Sequence, residues 1–173
     1  MRHTLSILVE NRFGELARIV GLFSARGYNI GSLTVAETLD PSISCVTVIT
    51  SGNNQNIEQI VKQLGRLVRV LKVTDLTSTS HVEREMVLIH VKTESGAAFQ
   101  KVLSLLSDPQ MRVAEVMEDG LILEASGNWS EVNELVRELT PFGIHSIVRT
   151  GTVALPTKSS SENDETLSAS SST

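Results

Sequence analysis

Apolar residues recur at spacings of three and four in four separate segments of the chain. This spacing places them along one side of an α-helix, so it predicts four amphipathic helices. The four sets are Leu16, Ile19, Val20 and Phe23; Ile57, Ile60, Val61 and Leu64; Phe99, Val102, Leu103 and Leu106; and Val132, Leu135, Val136 and Leu139. We expect each helix to cover one face of a sheet with its apolar side.

Short runs rich in β-branched residues lie between these helices and predict strands. They are TLSILVE, IGSLTVAET, SCVTVIT and LVRVLKVTDL in the first half, and EMVLIHVK, MRVAEVME, GLILEAS and HSIVRTGTVAL in the second. Turn-forming residues at Asp40-Pro41-Ser42 and Glu118-Asp119-Gly120 lie between the middle two strands of each half. They predict that each middle pair forms a hairpin.

The order strand, helix, strand, strand, helix, strand therefore occurs twice. It predicts an α+β chain of two tandem ferredoxin-like βαββαβ domains, residues 1–78 and 79–156, joined within the polar segment TSTSHVERE. Each domain would place two helices on one face of a four-stranded antiparallel sheet. The other face and the outer strands keep apolar residues, so we expect pairing between copies, or one half covering the other.

Residues 157–173 contain almost no apolar side chain. Such a segment cannot offset the entropy lost on ordering, so we expect a disordered tail. A phosphorylated or partner-binding tail is the alternative.

Composition narrows the classes of partner. The formal net charge of −5 argues against nucleic-acid binding, which needs clustered Lys and Arg, and an aromatic content of 3% argues against base stacking. The start MRHTLSILVE lacks the features of a signal peptide, and no segment approaches the length of a membrane span. We therefore expect a cytoplasmic protein with no membrane or nucleic-acid partner.

The residue types that most often hold metals or act as nucleophiles form no recognisable pattern. The histidines His3, His81, His90 and His145 fall on separate predicted elements without metal-ligand spacing, and no Ser-His-Asp or Cys-His arrangement is evident. The single Cys45 has no partner for an internal disulfide, so we expect a buried or half-buried apolar role. No catalytic residue and no metal ligand is predicted.

The segment LVENRFGELARIVGLFSARGYNI contains the most suggestive local chemistry. The first N–H groups of a helix have no acceptor within the helix, so its N-terminus attracts a carboxylate. Gly14 allows close approach of backbone to ligand, and Asn11 offers both a donor and an acceptor, which suits an amino acid. The alternative needs no ligand: Asn11 caps the helix and Gly14 relieves a turn.

Asn29 lies where this helix gives way to the second strand, after Gly27, which we expect to end the helix in the left-handed conformation. Within one copy it lies at the far end of the helix from Asn11. It would therefore reach a ligand held by Asn11 only from a neighbouring copy.

The segment VENRFGELARIVGLFSARGYNI resembles the ligand-sensing part of an ACT domain, an amino-acid-binding regulatory module. Together with GYNIGSLTVAET and HVERE, it makes residues 1–155 resemble the regulatory, or small, subunits of acetolactate synthase. The resemblance implies a non-catalytic chain that activates a large catalytic subunit in branched-chain amino-acid biosynthesis and confers feedback inhibition by valine. It implies that thiamine diphosphate, magnesium and FAD belong to the large subunit, and that this chain holds no cofactor.

The resemblance also implies where the effector binds, at an interface between the ACT domains of a homodimer. One copy would contribute Asn11 and Gly14 with the amides of Phe13, Glu15 and Leu16, and the other copy would contribute Asn29 and Ile30. Relatives often have proline or a small polar residue where this chain has Phe13.

Two other functions use the same residues. A stand-alone ACT sensor of another enzyme or a transcription factor would have the same pocket and a different partner. An acylphosphatase-like hydrolase would hold phosphate with Arg12 and Asn11, although the loop has one glycine where such enzymes have a glycine-rich turn. In HVERE, Glu83, Arg84 and Glu85 are expected to form a solvated charged linker or the start of a strand, or, from the resemblance, to orient the domains or contact the partner.

Overall fold

The computed structural model describes residues 1–93, 96–105 and 111–157. Among these, the chain forms two compact units, Met1–Val82 with the segment that begins at Ala154, and Glu83–Val153. The domain boundaries predicted at residues 78 and 156 stay a prediction. Leu106 of the third helical stripe and the tail expected to be disordered, apart from Thr157, lie outside the described residues.

The first unit has the predicted βαββαβ order. Its elements are β1 (Arg2–Glu10), α1 (Glu15–Ala25), β2 (Ile30–Glu37), β3 (Ile43–Ser51), α2 (Asn54–Leu64) and β4 (Val70–Asp75). The sheet order is β2-β3-β1-β4 and all neighbours are antiparallel, so β2 and β4 are the edge strands. The first predicted hairpin is confirmed, since β2 and β3 pair with Glu37 opposite Ser44.

The second unit repeats this order. Its elements are β5 (His81–Lys92), whose first two residues belong to the first unit, α3 (Gly96–Leu105), β6 (Met111–Met117), β7 (Gly120–Gly127), α4 (Trp129–Leu139), a 3₁₀ turn (Thr140–Phe142) and β8 (Ile144–Arg149). The short strand β9 (Val153–Pro156) continues from Val153 into the segment that belongs to the first unit. The sheet order is β6-β7-β5-β8, and β9 also pairs with β5. The second predicted hairpin, between β6 and β7, is confirmed.

One detail of the strand prediction is wrong. HSIVRTGTVAL is not one strand: β8 ends at Arg149 and β9 begins at Val153, and Gly151 between them has a φ of 86°. A left-handed residue cannot continue a pleated strand, so the chain turns there. In HVERE, the expected alternative of a strand start is confirmed, because β5 begins at His81.

Each unit has its own apolar core between helices and sheet. The first contains Leu5, Ile7, Val9, Ile19, Phe23, Val46, Val48, Ile57, Ile60 and Leu64. The second contains Val87, Ile89, Val91, Val102, Met111, Leu121, Leu123, Ala125, Val132 and Leu139. These clusters include buried members of every predicted helical stripe, which confirms the predicted amphipathic faces. Fully burying a side chain such as Phe23 contributes about 1.5–3 kcal/mol to stability.

The ends of the helices follow from local sequence. After α1, Gly27 has a φ of 69°, its N–H donates to the Ser24 carbonyl at 3.1 Å, and the N–H of Tyr28 donates to the Phe23 carbonyl at 3.0 Å. This pair of bonds is a Schellman motif and confirms the left-handed conformation expected at Gly27.

None of the helices in the described part of the chain combines the length and apolar character needed to cross a membrane.

Candidate functional site

The loop between β1 and α1 is fixed by its backbone. The Asn11 N–H donates to the Ser42 carbonyl at 2.7 Å, which ties the loop to the turn between β2 and β3. The Arg12 N–H donates to the Glu10 carbonyl at 2.8 Å, and the Glu15 N–H donates to the Arg12 carbonyl at 3.3 Å. The segment therefore makes a tight turn directly into the helix.

Gly14 is the residue before α1, with φ 88° and ψ −10°, and no side chain caps the helix. The expectation that Gly14 relieves a turn through a positive φ is confirmed, because a φ of this value favours glycine. The N–H of Glu15, the first residue of the helix, donates to the carbonyl of Arg12 in the loop. Among the described residues, no backbone acceptor binds the N–H groups of Leu16 and Ala17. The end of the helix thus keeps donors that can bind an anion.

Asn11 does not cap the helix, so that half of the ligand-free alternative is wrong, whereas the other half, in which Gly14 relieves a turn, is confirmed. Its side-chain Nδ2 donates to Glu37 Oε1 at 2.9 Å and to the Pro41 carbonyl oxygen at 2.9 Å. Both acceptors belong to the β2–β3 hairpin. Because both bonds use the NH₂ group, they set the orientation of the amide and leave its carbonyl oxygen to accept a donor from elsewhere.

Glu15 is the first residue of α1, and its side chain is buried, with 4% exposure. Its Oε1 lies 3.4 Å from Nη1 of Arg18 and 3.3 Å from Nη1 of Arg69. The carbonyl of Arg69 also accepts the N–H of Glu10 at 3.0 Å. Sequence reasoning assigned only the Glu15 amide, because a glutamate at a helix start is usually solvated and nothing in the spacing links positions 15 and 69.

The other residues assigned to this side of the site are open to solvent. Phe13 is fully exposed, and 41% of the Leu16 surface is exposed. An exposed phenylalanine makes no contribution to the core of its own unit, so its apolar surface is available to a ligand or to another chain.

Asn29 and Ile30 lie at the opposite end of the sheet from Asn11. The carbonyl of Asn29 accepts the hydroxyl of Thr50 at 2.7 Å, whereas Asn11 is tied to Ser42. Thr50 and Ser42 are eight residues apart along a nearly extended segment, a separation of about 27 Å. Asn11 and Asn29 of the same copy are therefore too far apart to bind the same amino acid. This agrees with the expectation that Asn29 reaches a ligand held by Asn11 only from a neighbouring copy. Asn29 is exposed and Ile30 is half-buried.

Cys45, Arg12 and His90 each form separate local contacts in the described part of the chain. Among the described residues, no group of three or more His, Cys, Asp or Glu side chains could hold a metal ion. Cys45 is partly buried, as expected, with Sγ 3.8 Å from the Ser6 hydroxyl. Arg12 pairs with Glu10 at 3.0 Å. The ring of His90 packs edge-on against His145 with centroids 5.0 Å apart, and its Nε2 lies 3.5 Å from Asp119.

In HVERE, Glu85 lies in the strand β5, so of the two alternatives for this segment the solvated linker is wrong for Glu85. This carboxylate is buried, and it accepts from Arg149 Nη1 at 3.1 Å and from the Thr152 hydroxyl at 3.4 Å. Arg149 Nη2 also donates to Asn133 Oδ1 at 2.7 Å. The alternation of β5 explains the burial, since Glu85 continues the face that holds Val87.

In the described part of the second unit, the glycine at the start of α3 differs from Gly14 in its backbone conformation. Gly96 begins α3 and, unlike Gly14, it is not among the glycines with positive φ in the described chain. The preceding residues 94–95 lie outside the described residues.

Two family models match the chain, one in each half. The model described as AHAS small subunit-like ACT domain matches residues 5–72, and the model described as small subunit of acetolactate synthase matches residues 84–158. The resemblance seen in the loop motifs is thereby confirmed.

Curated proteins and a solved structure agree with this match. An acetolactate synthase small subunit from Aquifex aeolicus is 41% identical over 164 residues, covering 95% of this chain and 85% of the relative. One from Mycobacterium leprae is 40% identical over 153 residues, covering 88% of this chain and 90% of the relative. The crystal structure of the small subunit from Thermotoga maritima superposes with a TM-score of 0.80 at 35% identity, covering 90% of this chain and 97% of that one.

Proposed function

Because the chain belongs to the family of acetolactate synthase small subunits, we propose that it activates the large catalytic subunit of that enzyme and confers feedback inhibition by valine. The chain is a regulatory subunit, and catalysis belongs to the large subunit. Thiamine diphosphate, magnesium and FAD would accordingly bind to the large subunit. The effector site is the part of this proposal that the geometry of the chain supports.

The observation that supports an amino-acid site is the start of α1 beside Asn11. The valine carboxylate binds the free N–H groups at the helix start, where Gly14 leaves the backbone accessible. The valine ammonium binds the Asn11 carbonyl oxygen, which the bonds from Asn11 to Glu37 and Pro41 leave available. The isopropyl group contacts Leu16, whose side chain is partly exposed.

A homodimer through the ACT domains completes the site. Asn11 bonds to Glu37 at one end of the edge strand β2, and Asn29 precedes Ile30 at its other end. If β2 pairs antiparallel with β2 of a second copy, the Glu37 end of one strand lies beside the Ile30 end of the other. Asn11 of one copy and Asn29 of its partner then meet at each end of the paired strands.

Ligand contacts that span two copies explain how binding could regulate an enzyme. Valine then favours the arrangement of copies that completes the site, and its binding free energy is coupled to that arrangement. A coupling of about 1–3 kcal/mol changes an equilibrium five- to 150-fold, which is enough for regulation.

The first experiment measures acetolactate formation by the matching large subunit alone, with this chain, and with this chain and increasing valine. We expect the chain to raise the rate and valine to reverse the increase. If the folded chain leaves the rate unchanged, the assignment of this partner is wrong and the stand-alone sensor takes its place. If it raises the rate but valine has no effect, the effector assignment alone is wrong.

Substitution Asn11→Ala tests the site within the same assay. We expect valine inhibition to be lost and activation to remain, because Asn11 contacts the effector and contributes nothing to the apolar core. Gln100→Ala, which removes an exposed amide side chain from α3, is the matched control and should behave as the parent. Equal valine sensitivity of the Asn11 variant and the parent would contradict the site.

A further inference from the structure

Glu15 is a buried carboxylate at the same helix end that would bind the effector carboxylate. Its side chain is 4% exposed and is paired with two arginines, Arg69 at 3.3 Å and Arg18 at 3.4 Å. A negative charge at this place opposes the binding of a second anion, and a cation paired with it offsets that effect. Of the charged groups of an amino acid, the carboxylate is the one that a helix N-terminus binds, so it lies nearer to Glu15.

We propose that Glu15 and Arg69 are positioning residues that set the affinity of the effector site electrostatically. Glu15 weakens the binding of the effector carboxylate, and Arg69 counterbalances the Glu15 charge. This inference rests on the proposed function, because it concerns how tightly the same site holds its amino acid.

Arg69 is better placed than Arg18 for this role. The side chain of Arg69 is 37% exposed and that of Arg18 is 60% exposed. Water and salt therefore screen the charge of Arg69 less than the charge of Arg18. Its backbone is also fixed, since the Arg69 carbonyl accepts the N–H of Glu10 at the end of β1, and its Nε lies 4.0 Å from Glu10 Oε2. Arg69 therefore connects the segment before β4 to the effector loop.

The test is direct valine binding to the full chain, measured by isothermal titration calorimetry. We expect Glu15→Gln to lower the Kd for valine and Arg69→Gln to raise it, each on the order of two- to fivefold, the range that one charge at a helix end typically produces. The double variant should return close to the parent. Changes of the Kd in opposite directions distinguish this role from a purely structural one. Loss of a structural ion pair would weaken valine binding in both single variants.

Glu58→Gln is the matched control. Glu58 pairs with Lys62 on α2 at 3.9 Å, and both side chains are at least 70% exposed, so the same change of charge should leave the Kd for valine unchanged.

Two results overturn the inference alone while the parent still binds valine. One is unchanged affinity in both single variants, and the other is weaker binding in both together with lower unfolding free energy. A parent chain that binds no valine overturns the proposed effector and this inference with it.

Discussion

At the scale of single residues, Gly14 decides where α1 begins. Its φ of 88° is unfavourable for a side chain, although a Cβ placed there would meet no atom within 4 Å. We therefore expect Gly14→Ala to lower the unfolding free energy by about 1–2 kcal/mol through backbone strain alone. Urea denaturation of parent and variant measures the change.

The same substitution at Gly21 serves as the control for this prediction. Gly21 lies within α1 and is exposed, and a Cβ added there would also meet no atom within 4 Å. Its helical φ suits alanine, so Gly21→Ala should stabilise the protein by about 0.5–1 kcal/mol. A destabilised Gly21 variant, or a neutral Gly14 variant, would contradict the strain argument.

Sequence reasoning predicted the residues whose role is local and missed those whose partners are distant in sequence. The backbone roles of Gly14 and Gly27 follow from their places at the two ends of a helix. The bond from Asn11 to Glu37 and the pairing of Glu15 with Arg69 depend on which strands become neighbours. Nothing in the residue types alone distinguishes these pairings from solvated side chains.

At the scale of elements, Gly120 allows β7 to lie close to β5. A Cβ at this position would overlap the carbonyl oxygen of Val91 and crowd the Cα of Lys92, and both are backbone atoms that cannot move aside cheaply. We expect Gly120→Ala to lower the unfolding free energy by at least about 2 kcal/mol, measured by urea denaturation.

A glycine in another strand provides the comparison. At Gly31 in β2, a Cβ would lie 3.6 Å from the carbonyl oxygen of Ile49, an ordinary contact, so Gly31→Ala should be tolerated. Similar losses in the two variants would mean that the close approach at Gly120 does not control stability.

The turn between β2 and β3 should make a small pH-dependent contribution to stability. Asp40 Oδ1 accepts hydrogen bonds from the Ser42 hydroxyl at 2.7 Å and from the Ser42 backbone N–H at 2.9 Å. These bonds lower the pKa of the Asp40 carboxyl below its ordinary value of 3.8. A carboxyl whose pKa is lowered on folding stabilises the protein above its unfolded pKa, and this stabilisation is lost as pH falls through the folded pKa.

We expect a pH titration of the Asp40 carboxyl followed by NMR to have its midpoint below 3.8, and Ser42→Ala to move the midpoint towards that value. The hydroxyl bond is the largest cause of the shift, so its removal should have a clear effect. A midpoint at or above 3.8 in the parent would contradict the role assigned to Ser42.

The elements themselves were largely predictable, because the periodicity of apolar residues reports directly on the face that each element buries. All four predicted helices and both hairpins are present in the described residues. The break between β8 and β9 was missed, because Gly151 lies within a run of strand-forming residues and only its positive φ reveals the turn.

At the scale of the whole molecule, the separation of Asn11 from Asn29 makes the proposed site a shared property of two copies. We expect Asn11→Ala and Asn29→Ala each to abolish valine inhibition when present in every copy. Mixing the two variant chains should restore part of it, because a mixed dimer contains one complete site with Asn11 from one chain and Asn29 from the other.

The measurement is acetolactate formation with increasing valine, after the two variants are unfolded and refolded together so that the chains exchange. Refolding each variant alone is the control and should give no inhibition. Failure of the mixture to recover any inhibition, with mixed dimers shown to form, would mean that both asparagines act within one copy or that neither contacts the effector.

Phe13 has a consequence for how such a protein changes over generations. Its side chain is fully exposed and lies outside the apolar core of its unit. Replacing Phe13 should therefore change the free energy of unfolding little. Substitutions at this position need no compensating substitutions elsewhere in the chain. Preference for one amino acid over another can therefore evolve at the rim of the proposed site independently of stability.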